Sequence, residues 1–252
     1  MVFARIHRFF SRVAVTEDAQ HKYPQELAEI YRKACEGHVL EQVLLGKALL
    51  NSRYIARDEK RAHDWFVVAA SANYGPAHNM LGRCAQFGWG CPLDLTEAVR
   101  HYERAAQTGD LWGIYNLGIC HMRGLGVEAD RKAAFNFFRR AALRGHAKSM
   151  NLLARFIEEG WETPPNPAAA LDWYRLSAEG GDYRGQHNYA TALLSMGQPE
   201  AALHYWRLAV KDATPDILQA MHRDLSEPDA PQDPELMATL QRRLKEALAT
   251  KS

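Results

Sequence analysis

Eleven histidines and four cysteines are the residues of this chain best suited to hold a metal or to act as nucleophile and base. Their spacing argues against both uses. Cys35, Cys84, Cys91 and Cys120 include no C-x-x-C pair, the spacing common to zinc and thiol-redox sites. Cys120 and His121 are neighbours, and neighbours on a helix point about 100° apart, a poor chelate. The histidines are scattered, with no cluster at ligand spacing. The phosphate-cradling G-x-x-x-x-G-K, the zinc-protease H-E-x-x-H and the nucleophile elbow G-x-S-x-G are all missing. The residues predict no metal, no cofactor and no catalytic group.

The totals are those of an ordinary folded protein. Of 252 residues 47% are apolar and 24% charged, and the formal net charge is +1. The chain is long enough to bury a sizeable core. No excess of positive charge favours nucleic acid or a membrane surface. The apolar runs fall short of the roughly 18 residues of a membrane span. At the N-terminus, Arg5, His7, Arg8 and Arg12 interrupt the apolar residues, so no export signal is expected. With unpaired cysteine spacing, a cytoplasmic protein with reduced thiols is the expectation.

What would position any functional side chain is a repeat. Gly82 and Gly118 stand 36 residues apart, with Gly46 before them and Ala154 and Ala190 after. Leu45, Leu81, Leu117, Leu153 and Tyr189 form the adjacent column. Ala62, Ala98, Ala134 and Ala170 form another, continued by Ala202 after a four-residue deletion. The pair Trp65–Phe66 becomes His101–Tyr102, Phe137–Phe138, Trp173–Tyr174 and Tyr205–Trp206. Gly37, Asn73, Gly109, Gly145 and Gly181 close each row. Self-similarity at this period marks a repeat array.

Each row reads as two helices. "LWGIYNLGICHMRG" has apolar or small residues at helical spacing, and the glycines of "GLGVEAD" end it. Asp58, Asp94, Asp130 and Asn166 share the column suited to N-cap the next helix, and Asp94 with Glu97 makes a capping-box pattern. Cys84 and Cys120 share a core column and read as packing thiols. Such short helices must bury a face against neighbours, and alanine and glycine let backbones approach beside the aromatic pair.

The paired alanines, the aromatic pair, the "RAA" helix end, "NLG" and "G-x-GV" resemble the Sel1-like repeat of the tetratricopeptide superfamily, most clearly over residues 98–130 and 133–161. The resemblance covers about residues 25–225. It implies an all-α, right-handed α-solenoid of stacked antiparallel helix pairs, about five pairs with half repeats. It also implies a concave groove lined by first helices, used as a scaffold for other proteins. The Pro-rich acidic stretch 226–235 then reads as a linker and residues 236–252, with Leu236, Leu240, Leu244 and Leu248, as a capping helix. Thr214 is the expected cap of a further helix over 215–225.

If 77, 81, 84 and 88 face the core, residues 76, 79, 83 and 86 lie opposite, by the helical turn angle. The corresponding residues give a groove of Asn79, Arg83, Trp112, Tyr115, Ile119, Met122, Asn151, Arg155 and His187, apolar at the centre with polar flanks. The alternative is that curvature buries Trp112 and Ile119 between helices. Trp89 and Trp161 share a linker column and either pack over helix ends or form a second aromatic strip. Residues 1–24, with Phe3, Ile6, Phe9, Phe10 and Val13 beside three arginines, read as a cap on the first repeat. Membrane contact through residues 1–15 is the alternative.

The function expected is a noncatalytic protein-interaction adaptor binding another protein or a peptide segment, with no nucleic-acid partner. Two alternatives remain. One is a regulatory subunit docking on an enzyme. The other is an enzyme with its site spread over several repeats, with perturbed groups such as Glu158 or His187.

Overall fold

A computed structural model describes residues 25–51, 54–227 and 229–249. Among these the chain forms thirteen α-helices and no strand. The segment 1–24, read above as cap or membrane segment, lies outside the described residues. No described helix is long and apolar enough to cross a membrane.

The helices fall into two compact units, residues 1–130 and 131–252. The first holds α1 (Gln25–Cys35), α2 (Val39–Asn51), α3 (Glu59–Ala70), α4 (Gly75–Phe87), α5 (Leu95–Gln107) and α6 (Leu111–Arg123). The second holds α7 (Arg131–Ala142), α8 (Ala147–Glu159), α9 (Pro167–Glu179), α10 (Tyr183–Ser195), α11 (Pro199–Ala209), α12 (Pro215–Leu225) and α13 (Pro234–Ala249). Successive helices pack pairwise within each unit, apart from α11 and α12. First helices also pack on first helices, α4 on α6 in one unit and α8, α10 and α12 in the other.

Caps set the helix starts. Asp58, Asp94 and Asn166 accept from the backbone N–H of Arg61, Glu97 and Ala169. The capping box at Asp94 is only half made: Glu97 turns to Arg100, 3.0 Å away. The reason is periodic. The N–H groups of Asp58, Asp94, Asp130 and Asn166 donate to the carbonyls of Leu49, Ala85, His121 and Ile157. A backbone partner from the preceding helix already occupies the donor that Glu97 would have taken. Asp110 and Asp182 cap α6 and α10 as well. Thr214 precedes α12 without a side-chain cap bond, because its hydroxyl faces Asp216.

The column that closes each row is left-handed throughout, with φ of 97° at Gly37, 54° at Asn73, 86° at Gly109, 90° at Gly145 and 83° at Gly181. An L side chain pays for this conformation and glycine does not. In the linkers "GWG" and "GLG" the two glycines differ in role. Gly88 and Gly124 are left-handed helix ends. At Gly90 and Gly126 an added Cβ would come within 2.2 and 2.1 Å of the carbonyl oxygens of Glu59 and Leu95. The second glycine therefore exists for close backbone approach.

In the core, small residues meet large ones as the columns require. Ala62, Ala98, Ala134, Ala170 and Ala202 are buried, as are Phe66, Tyr102, Phe138, Tyr174 and Trp206. The second member of each aromatic pair is thus the constant core residue. The first is buried only as Trp65. In the second unit, Leu236 and Leu240 of α13 are buried in one cluster with Trp206, Leu218, Met221 and Leu225.

Candidate functional site

The first-helix faces carry the residues singled out by the repeat, and the two units treat them alike. In the first unit, Asn79 is buried, and its Oδ1 accepts from Asn116 Nδ2 at 2.8 Å. In the second, Asn151 is buried, and its Oδ1 accepts from Asn188 Nδ2 at 2.8 Å. Both expected groove asparagines therefore sit between adjacent first helices, with an acceptor already spent on the neighbour. A solenoid helix is flanked by first helices as well as by second helices, so its buried arc is wider than one side of a wheel.

The arginines are engaged too. The Arg83 guanidinium lies over the Trp89 ring, 4.9 Å from its centroid, and Trp89 stacks on Phe87 at 5.0 Å. Arg155 lies over Trp161 at 5.7 Å, with Arg131 on the same ring at 5.5 Å and Phe156 edge-on at 5.0 Å. The linker tryptophans and the groove arginines are therefore one feature, a cation–π clasp at the end of the first helix. The sequence carries a signal for it. In the row between, where the linker residue is Leu125, the helix position is Ile119.

That middle row keeps the apolar residues. Trp112 is 47% exposed and meets Tyr115 edge to face, with centroids 6.0 Å apart. Tyr115, Ile119 and Met122 are half-buried. Trp112 is therefore not swallowed between helices, whereas Ile119 is partly so.

His187 is the expected groove residue that the structure changes most. It is buried, and its Nδ1 accepts from Trp206 Nε1–H at 3.2 Å. Its proton therefore sits on Nε2, which lies 3.9 Å from Asp224 Oδ2. Burial pushes the His187 pKa down, with Asp224 opposing and Arg223 adding to the shift. His187 lines a cleft of about 610 Å³ within the second unit, together with Glu158, Leu171, Tyr174, Thr191 and Asp224. Tyr174 donates to Glu158 Oε2 at 2.7 Å. Glu158 and His187, named above as groups of a site spread over several repeats, share this cleft, whereas Asp224 was not legible because it comes from α12, which no repeat column includes. The 37-residue spacing of Asn79–Asn116 and Asn151–Asn188 was a legible sign of the asparagine pairs.

The cysteines are poor nucleophiles. Burial pushes the Cys84 thiol up to about 12 and Cys120 to about 11, so little thiolate exists near neutrality. Among the described residues, no group of three or more histidine, cysteine, aspartate or glutamate side chains is placed to hold a metal ion.

Comparison with known proteins gives a consistent result. The Sel1 repeat family model matches residues 42–74, 75–110, 113–146 and 147–182. The chain is 24% identical over 213 residues to protein NMB1327 of Neisseria meningitidis, covering 83% of this chain and 44% of that protein. It is 30% identical over 166 residues to the chitin synthase regulator SKT5 of Saccharomyces cerevisiae, covering 64% of this chain and 21% of the regulator. The chain thus spans less than half the length of these relatives. The crystal structure of a Sel1 repeat protein from Oxalobacter formigenes superposes with a TM-score of 0.74 at 23% identity, over 92% of this chain and 99% of that one. Immunity protein PA5088 of Pseudomonas aeruginosa gives 0.58 at 16% identity, over 90% and 83%. With four matched repeats covering more than half of its length, on helix pairs capped and spaced as the columns demand, this chain belongs to the Sel1 repeat family.

Proposed function

We propose that the protein is a noncatalytic adaptor that binds a segment of another protein on its first-helix faces. The observation that carries the reading is Trp112. It is the side chain of the central row that stands 47% exposed, with Tyr115 beside it. Exposed aromatic side chains flanked by polar rows are the usual anchors of protein interfaces. The helices hold these rings in place before binding, so the ordering cost falls on the partner. Within the first unit, Arg83 with the tryptophan it covers belongs to the rim of this reading rather than its centre. The names of the chitin synthase regulators support one form of it, docking that regulates an enzyme. The reading places the protein in the cytoplasm, where its four free thiols stay reduced.

The test is capture from a native lysate by the wild-type chain and by a Trp112→Ala, Tyr115→Ala variant. Hot-spot aromatics cost about 2 kcal/mol or more each on truncation, so partners held by the wild type should be lost from a variant that melts normally. Equal retention would move the interface off this face.

A further inference from the structure

Charge is spread unevenly over the first unit. The first helices α4 and α6 have 13 residues each and carry no aspartate or glutamate, while Arg83 and Arg123 are their permanent cations. On the second helices α3 and α5, by contrast, Glu59, Asp64 and Glu97 are matched by Arg57, Lys60 and Arg100. The one acid of α2, Glu41, stands in the column of the buried Ala77 and Gly113. The face around Trp112 is therefore apolar and cationic.

Two cations share one column of this face. Lys47 follows Gly46 and Arg83 follows Gly82, 36 residues apart. Lys47 is exposed and Arg83 half-buried. Neither makes an ion pair or a side-chain hydrogen bond among the described residues. Trp89 covers one face of the Arg83 guanidinium at 4.9 Å and itself stacks on Phe87. The group is thus held in place while its in-plane N–H donors stay available. The Asn79–Asn116 bond sets the register of α4 against α6. One turn further on, Arg83 stands beside Ile119, and Tyr115 lies one turn back along α6. Helix pitch and the spacing of packed helices put Tyr115 and Arg83 roughly 10 Å apart.

We propose that the partner segment bound on this face is acidic. An apolar side chain rests on Trp112 and Tyr115, and about three residues along a glutamate or aspartate gives its carboxylate to Arg83, with a second acid beyond it toward Lys47. Three residues of polyproline II rise about 9 Å and return to the same side of the chain, which matches the spacing. The planar guanidinium takes a carboxylate through two parallel bonds, stronger than those to a neutral acceptor. A basic segment would meet two cations and no carboxylate on α4 or α6. The proposal rests on the reading of Trp112 as the anchor point and adds the charge of the partner to it.

The test uses the full chain with acetyl-Leu-Ala-Ala-Glu-Ala-Ala-Glu-amide and the reverse order, acetyl-Glu-Ala-Ala-Glu-Ala-Ala-Leu-amide, followed by amide and indole chemical shifts. The same peptides with glutamine or lysine for glutamate are the neutral and basic controls. At least one glutamate peptide should give saturable shifts at the Trp112 indole, Tyr115 and Ile119, and should bind about tenfold tighter than its glutamine form. Arg83→Gln should remove most of that ratio, and Lys47→Gln, at an exposed site, about a threefold part of it. The Trp112→Ala, Tyr115→Ala variant should weaken the glutamate and glutamine forms alike. Equal binding of the glutamine or lysine form, an unchanged ratio in Arg83→Gln, or no saturable shift with any peptide would overturn the acidic partner. If that aromatic variant still loses its lysate partners, the interface stands and only the acidic class falls. If it keeps them while the tenfold ratio holds, the adaptor interface falls and this site stands. Should Arg83→Gln melt early, the wild-type ratio and Lys47→Gln decide.

Discussion

At position 146 a histidine precedes α8 as its N-cap residue, buried, with Nδ1 2.9 Å from Ser149 Oγ. Burial, aided by Lys148, moves its pKa from 6.5 down to about 4. Between these values the unfolded chain takes up a proton that the folded chain refuses. Stability therefore falls as pH drops from about 6.5 toward 4, and levels off below. Burial lowers His63, His78, His101 and His187 in the same direction. Going from about pH 7.5 to 4.5, His146 alone should cost about 2 kcal/mol. His146→Asn keeps a favourable cap residue and should flatten part of that slope in urea titrations. Equal slopes would show that His146 titrates normally. The same residue scale shows where the sequence was hardest to read. Asn79, Asn151 and His187 look like groove contacts on a single helix, yet each is taken up by a partner on another helix, Asn116, Asn188 and Trp206. A polar side chain that satisfies another polar side chain across a packing surface has the same letter as one that faces water.

At the scale of the element, the glycine, alanine and aromatic columns were legible because packing dictates them. A Cβ at Gly82 would lie 2.5 Å from the Tyr102 ring, and one at Gly46 would lie 2.4 Å from Phe66. Gly82→Ala would gain about 1 kcal/mol of helix propensity, but the ring cannot yield that much space. Overpacking costs about 1–3 kcal/mol, and a clash this close belongs at or above the upper end, so a net loss of about 2 kcal/mol is expected in chemical denaturation. Trimming the ring with Tyr102→Leu should relieve much of it. A gain in stability from Gly82→Ala would contradict the packing described for α4 and α5. At Asp94 the cap itself forms and only the reciprocal Glu97 bond does not, because the local pattern omits the carbonyl of Ala85. Local signals name the helix start correctly and assign its hydrogen bonds less well.

At the scale of the molecule, repeats bury their faces on near neighbours, so damage should stay local. Leu240, on α13, is fully buried in the cluster with Trp206, Leu218 and Met221. Leu240→Ala should cost about 2–5 kcal/mol. Its amide-exchange signature should appear in α11–α13 while α2–α4 stay protected. Loss of protection throughout the chain would argue against local coupling. The periodicity made the array legible from sequence, but the cleft as a whole was not, since it depends on how α8, α9, α10 and α12 meet.

Partners are proposed to sit on the first-helix face around Trp112. The most direct measurement places the photocrosslinking residue benzoylphenylalanine at position 115 in one variant and at position 100 in another. Arg100 is exposed on α5, a second helix. Covalent capture of a partner is expected from position 115 and none from position 100. Capture from position 100 alone would contradict it and put the interface on the second helices.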